Sequence, residues 1–167
     1  MQTLVWFLAI EVMGIIVFPI TFRLLPILKD KGFSIAKPFS MVALGLLSWL
    51  LSTTGLLAPN TYVLYLLFLF IACLSIWSAC KQLAAIRRFI KLEWKTLIAA
   101  ETIYIVVFAS FALIRYFDPA IDHTEQPMDF AFLTSSMHAE ASGALDPWMK
   151  GLGISYYYFG YWIFGNL

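Results

Sequence analysis

Charge is what this sequence has least of. Only 13% of its 167 residues are Asp, Glu, Lys or Arg, against about 25% in soluble domains. The net charge of +1, with no Lys/Arg cluster beside an aromatic platform, excludes a nucleic-acid surface. Cysteine is nearly absent. Cys73 and Cys80 share one apolar stretch, about 10 Å apart if it is helical. That separation excludes a disulfide between them. Histidine is confined to His123 and His138, whose spacing fits no zinc pattern. The N-terminus lacks the basic residues of a cleavable signal and carries an apolar stretch long enough to span, so it reads as a retained helix. No internal repeat and no low-complexity tail is present.

What remains is greasy. The chain is 62% hydrophobic and 17% aromatic, and apolar runs near 20 residues recur. The fold class is therefore all-α, a polytopic transmembrane helix bundle in a single membrane domain, 1–167. Four full spans are expected at about 3–22, 39–57, 62–80 and 96–117. A partial fifth, 154–167, makes about 21 Å of helix, short of a hydrocarbon core of about 30 Å. Pro19 is expected to kink the first span. Asn60 or Thr61 is placed to cap the third after a tight turn at Pro59. Between spans three and four, Lys81, Arg87, Arg88, Lys91 and Lys95 interleave with Ile86, Phe89, Ile90 and Trp94. This pattern predicts a basic amphipathic helix lying in the interface, its face read by anionic lipid headgroups.

Two acids fall inside spans. Glu11 sits mid-bilayer, which costs about 2.5–3.5 kcal/mol unless the group is paired, protonated or wet. It is either bonded to a neighbouring helix or a proton or ion site. Glu101 lies near enough to the basic loop to pair or snorkel. The positive-inside rule orients the chain. Loops 23–38 and 81–96 go to the cytoplasm. The N-terminus, the 58–61 turn and the acidic loop 118–153 go outside, across a cytoplasmic membrane. The acidic loop carries Asp118, Asp122, Glu125, Asp129, Glu140 and Asp146 against Lys150 alone.

That loop is where chemistry is concentrated. Thr124 is expected to cap a short surface helix, with Glu125 in its first turn and Pro127 tolerated there. Glu125 and Asp129, four apart, then share a helix face. Two carboxylates so placed suit general-base work or a divalent cation. Phe130, Leu133 and Met137 form its apolar stripe. Asp146-Pro147-Trp148 reads as a turn, and Asp146 is positioned to cap the next helix. Gly151 and Gly153 let the chain turn back. Tyr156, Tyr157 and Tyr158 then fan around a helix, pairing Tyr157 with Tyr161 and Tyr158 with Trp162 by face. An interfacial aromatic belt accounts for them on physical grounds alone.

Three blocks in this order — Glu125-Gln-Pro-Met-Asp-Phe-Ala-Phe-Leu133, Asp146-Pro-Trp148 with Gly151, and Tyr156-Tyr-Tyr-Phe-Gly160 — resemble the YYY family of bacterial and archaeal membrane proteins. That family is itself uncharacterised. It is similar in turn to the GT-C glycosyltransferases, which take a sugar from a polyprenyl-phosphate carrier outside the cell. The resemblance implies that Glu125 or Asp129 is the general base or a ligand for a divalent cation. No cofactor beyond that is implied. It further implies that Asp146, Trp148, Tyr156, Tyr157 and Tyr158 line a sugar or lipid-phosphate pocket. The partners would be the lipid bilayer, a lipid-linked sugar and a further membrane subunit completing the bundle. Family members are several times longer, so the chain is expected to be the N-terminal part or a subunit of such an enzyme. The alternative is a non-catalytic assembly subunit of a membrane complex. A transporter using Glu11 and Glu101 is a third idea. Ile154-Ser155 departs from an expected Asn-containing approach to the tyrosines.

Overall fold

The computed structural model describes residues 2–139 and 143–166. Glu140, counted among the loop acids, lies outside them. Five helices are described, in order: α1 (Gln2–Leu24), α2 (Phe33–Thr53), α3 (Thr61–Phe117), α4 (Gln126–Met137) and α5 (Phe159–Gly165). Among the described residues no strand forms, and one isolated bridge pairs Leu145 with Gly153. Three helices, α1 to α3, are long and apolar enough to cross a membrane.

Local signals explain most boundaries. The start of α2 corrects the expected one at residue 39. Both carboxylate oxygens of Asp30 accept backbone N–H groups, from Gly32 at 3.1 Å and Ser34 at 2.8 Å. An acid at the positive end of the helix dipole favours an early start, which draws Lys37 and Pro38 into the helix. α2 stops at Thr53 rather than 57. There Gly55 adopts φ +71°, and the N–H groups of Gly55 and Leu56 close on the carbonyls of Ser52 and Leu51 at 2.9 and 3.0 Å. That is a Schellman termination. Asn60 caps α3 as expected, its side-chain oxygen accepting the Val63 N–H at 3.0 Å.

The 57 residues of α3 would make a rod of about 85 Å if straight. It is not regular throughout. Gln82 and Glu93 leave helical φ/ψ. These breaks fall at the borders expected between span three, the basic segment and span four.

The chain forms two compact units. The first comprises residues through Ser40 with Phe70–Pro119. Here the outer arms of α3 pack on α1 in opposite senses. Ser75 Oγ donates to the Ile16 carbonyl, and Ser78 Oγ and Gln82 Nε2 donate to that of Pro19. This arm runs forward along α1. Beyond the second break, Glu101 shares Lys37 with Glu11, and Phe108 meets Phe7 at 5.1 Å between ring centroids. That arm retraces α1 backward. A buried cluster of Phe18, Ala36, Ile86 and Phe89 closes the bend.

The second unit comprises Met41–Leu69 with the chain from Ala120 onward. Its core is Phe132, Ala139, Ala144, Ile154 and Trp162. Gly45 lies so close to α5 that a Cβ there would meet Ile163 Cγ1 at 2.6 Å. α5 corrects the expected partial span. It has seven residues, about 10 Å of helix. Residues 154–158, expected as the start of that span, are not helical.

Candidate functional site

From Ala120 onward, in the second unit, the acidic loop forms helix α4 and a bridged turn, and helix α5 follows it. α4 begins after Glu125, not after Thr124. Thr124 adopts φ +44°, a left-handed turn geometry rather than the extended backbone of a cap. Glu125 takes the cap position without a side-chain cap bond, and Pro127 and Asp129 fill the first turn. The face packed on protein is Phe132 and Ser136. Phe130 and Met137, expected as an apolar stripe, are exposed to the surroundings.

Phe132 is the hub. Its ring meets Trp148 edge-on at 5.3 Å, lies nearly parallel to Tyr156 at 5.5 Å and tilts against Tyr161 at 5.7 Å. Tyr157 packs on Tyr156 at 3.9 Å. The outer edge of this cluster is open, with Trp148 62% and Tyr157 73% exposed. Asp129 stands at its border. The Tyr161 hydroxyl donates to Asp129 Oδ1 at 2.5 Å. That bond, before burial, pushes the Tyr161 hydroxyl up to about 12, so it stays a donor. Tyr156 is likewise pushed up to about 12, first by its hydrogen bond to Tyr157 and then by smaller effects that include the charges of Glu125 and Asp129. Asp129 is thus the carboxylate in direct contact with the aromatic group, through Tyr161.

The other expected residues take structural positions. Asp146 Oδ1 accepts the N–H groups of Trp148 and Met149 at 2.8 and 3.0 Å. It closes a turn there, and no helix begins at it. Ser135 Oγ donates to the Leu145 carbonyl, tying α4 to that turn. Tyr158 is not on a helix face with its neighbours. It occupies the cap position of α5, and its hydroxyl accepts the Trp49 Nε1–H at 3.0 Å. The expected fan of three tyrosines fails because the helix starts only at Phe159. The pairing of Tyr158 with Trp162 holds, at 6.3 Å. Trp162 is fully buried and donates to Ser48 Oγ at 2.9 Å. α2 and α5 thereby anchor the aromatic group.

Among the described residues no group of three or more His, Cys, Asp or Glu comes together. Glu125 and Asp129 offer oxygen ligands of the kind magnesium takes beside a substrate phosphate, without a third protein ligand among the described residues. His138 Nδ1 lies 2.8 Å from the Thr134 carbonyl.

The family's sequence profile matches residues 43–167, which takes in this entire site. The chain belongs to the family of uncharacterized membrane proteins (DUF2298). No curated protein and no solved structure matches it. Family membership fits the three apolar helices and places the protein in a membrane.

A second polar constellation, in the first unit, has no counterpart among the loop residues expected to carry chemistry. Lys37, 8% exposed, reaches Glu11 at 2.8 Å and both oxygens of Glu101 at 2.7 and 2.8 Å. Its ammonium lies 3.7 Å from the centre of the Tyr104 ring. Glu101 therefore pairs with a lysine of α2, not with the basic segment of α3, and Glu11 is paired rather than isolated. Glu11 and Lys37 fall outside the stretch the family profile matches. The one sequence signal for the cluster was the cost of Glu11 mid-span, which asked for a partner, a proton or water there.

Proposed function

We propose that this chain is the N-terminal part or a subunit of a GT-C-like membrane glycosyltransferase using a polyprenyl-phosphate sugar on the extracytoplasmic side. The observation that carries the reading is Asp129, held by Tyr161 at the edge of an exposed aromatic group. Aromatic faces left open beside a carboxylate suit the apolar faces and hydroxyls of a sugar. In this reading Asp129, with Glu125 beside it, accepts the proton of the acceptor hydroxyl as its oxygen attacks the anomeric carbon. The bond from that carbon to the carrier phosphate breaks, and polyprenyl phosphate leaves. Trp148, Tyr156 and Tyr157 hold the sugar, Tyr161 orients the base, and Asp146 and Tyr158 shape the loop.

The topology belongs to the same proposal. The breaks at Gln82 and Glu93 let α3 cross twice, giving four crossings in a cytoplasmic membrane. The basic segments lie inside, and α4 and the N-terminus lie outside. A further membrane subunit supplies the rest of the bundle. Glu125→Cys, in a Cys73→Ser/Cys80→Ser background, is expected to react with an impermeant thiol reagent from outside. Labelling only after permeabilisation would refute the orientation.

The activity test uses membranes containing the protein and radiolabelled polyprenyl-phosphate mannose or glucose. Loss of a positioned general base costs about 10²–10⁴-fold. Asp129→Asn is expected to fall in that range, and Glu125→Gln to fall less. Full transfer by both variants would overturn the assignment.

A further inference from the structure

The first unit contains a cavity unrelated to the acidic loop. It measures about 720 Å³ and opens between the α1–α2 loop and the segment of α3 between its two breaks. That volume lies within the range of about 300–1,000 Å³ typical of ligand sites. Phe22, Ile27, Leu28, Phe89 and Leu92 are the large apolar side chains of its wall, beside Pro26 and Ala85. Lys29, Lys31 and Arg88 supply three positive charges, against Glu93 alone. Glu93 is already engaged, accepting from Thr96 at 2.9 Å. The Lys31 ammonium bonds the Pro26 carbonyl. Lys29 and Arg88 have no ion-pair partner among the described residues.

Position decides what such a cavity can hold. It sits where α1 ends and where α3 bends, at span ends and therefore at the level of lipid headgroups whichever side faces the cytoplasm. Ile27 is 96% exposed at its mouth. A free anion would have no use for five apolar side chains, and a neutral lipid none for two unpaired cations.

We propose that this cavity is a binding site for one anionic phospholipid, its phosphate between Lys29 and Arg88 and its upper acyl chains on Phe22, Leu28, Phe89 and Leu92. The site accounts for the basic segment more narrowly than diffuse attraction to a membrane surface. Arg88 lines the cavity and Lys91 does not, although both belong to that segment.

The test is native mass spectrometry of the full chain from detergent, titrated with phosphatidylglycerol or phosphatidylcholine. One phosphatidylglycerol is expected to bind well ahead of phosphatidylcholine. Each cation near an anionic lipid is worth about five-fold, so Lys29→Gln/Arg88→Gln is expected to weaken phosphatidylglycerol about 25-fold. Lys91→Gln, at a residue that does not line the cavity, is expected to weaken it by less than the about five-fold of a lining cation. Ile27→Asp puts a negative charge at the mouth without disturbing packing, and is expected to weaken phosphatidylglycerol should the double variant fail to fold. Inorganic phosphate is expected to compete only weakly. Equal retention of both lipids, equal losses from Lys91→Gln and the double variant, unchanged binding in Ile27→Asp, or displacement by phosphate at the lipid's own concentration would each overturn the proposal.

Discussion

Replacing Lys37 with methionine is the sharpest test of how the first unit holds together. The lysine stem is buried, its ammonium is shared by Glu11 and Glu101 within 2.8 Å, and the carboxylate side chains are only 17% and 27% exposed. Methionine matches the stem but removes the charge. Two carboxylates are then left facing each other with no cation. Breaking a buried ion pair from one side costs about 3–5 kcal/mol. For a chain of this size about 2–4 °C of melting temperature goes with each kcal/mol, so the variant is expected to melt about 6–20 °C below the wild type. The assay is thermal unfolding of the purified protein in detergent, monitored by circular dichroism. Lys37→Met combined with Glu11→Gln and Glu101→Gln removes the uncompensated charge and is expected to recover most of the loss. A single variant melting within about 2 °C of wild type, below the smallest shift this arithmetic allows, would refute the cluster. So would a triple variant worse than the single one.

Three further outcomes rest on the same geometry. Gly45→Leu drives a side chain into Ile163, and is expected to cost about 1–3 kcal/mol of stability in the same melt, with Ile163→Ala recovering part of it. Ser48→Ala leaves the fully buried Trp162 Nε1–H without an acceptor, at about 1–3 kcal/mol; Ser48→Ala/Trp162→Phe, which removes both partners, is expected to melt above the sum of its single variants. Burial draws the Asp30 carboxyl upward, but hydrogen bonds from the Ser34 side chain and from the Ser34 and Gly32 backbones outweigh it and hold it below its ordinary value of 3.8. Its contribution is therefore complete above the unfolded value and lost as pH falls through the folded one. The melting gap between wild type and Asp30→Ala is expected to be constant above about pH 5 and to close below about pH 4; a gap unchanged at pH 3 would contradict the role of the charged form.

The sequence by itself determined the class of protein and the approximate apolar stretches. Its paucity of charge and its runs near 20 residues admit a helical membrane protein and little else, because lipid leaves no partner for unpaired backbone. The breaks in α3 were legible too, since composition changes from apolar to basic and back at the same places. Tertiary structure decided which face of α4 is buried. Phe130, Leu133 and Met137 recur at three and four residues, and so do Asp129, Phe132 and Ser136. Periodicity cannot choose between two stripes that obey the same spacing; only the turn at Asp146 and helix α5, arriving from farther along the chain, select the second. The same holds for Lys37. Nothing local separates a loop lysine from a buried one when its partners are 26 and 64 residues away. That a mid-span Glu11 needs a partner, a proton or water was written in the sequence, but that the answer is Lys37 was fixed by where Asp30 starts α2 and how α1 and α3 pack, which are properties of the assembled unit.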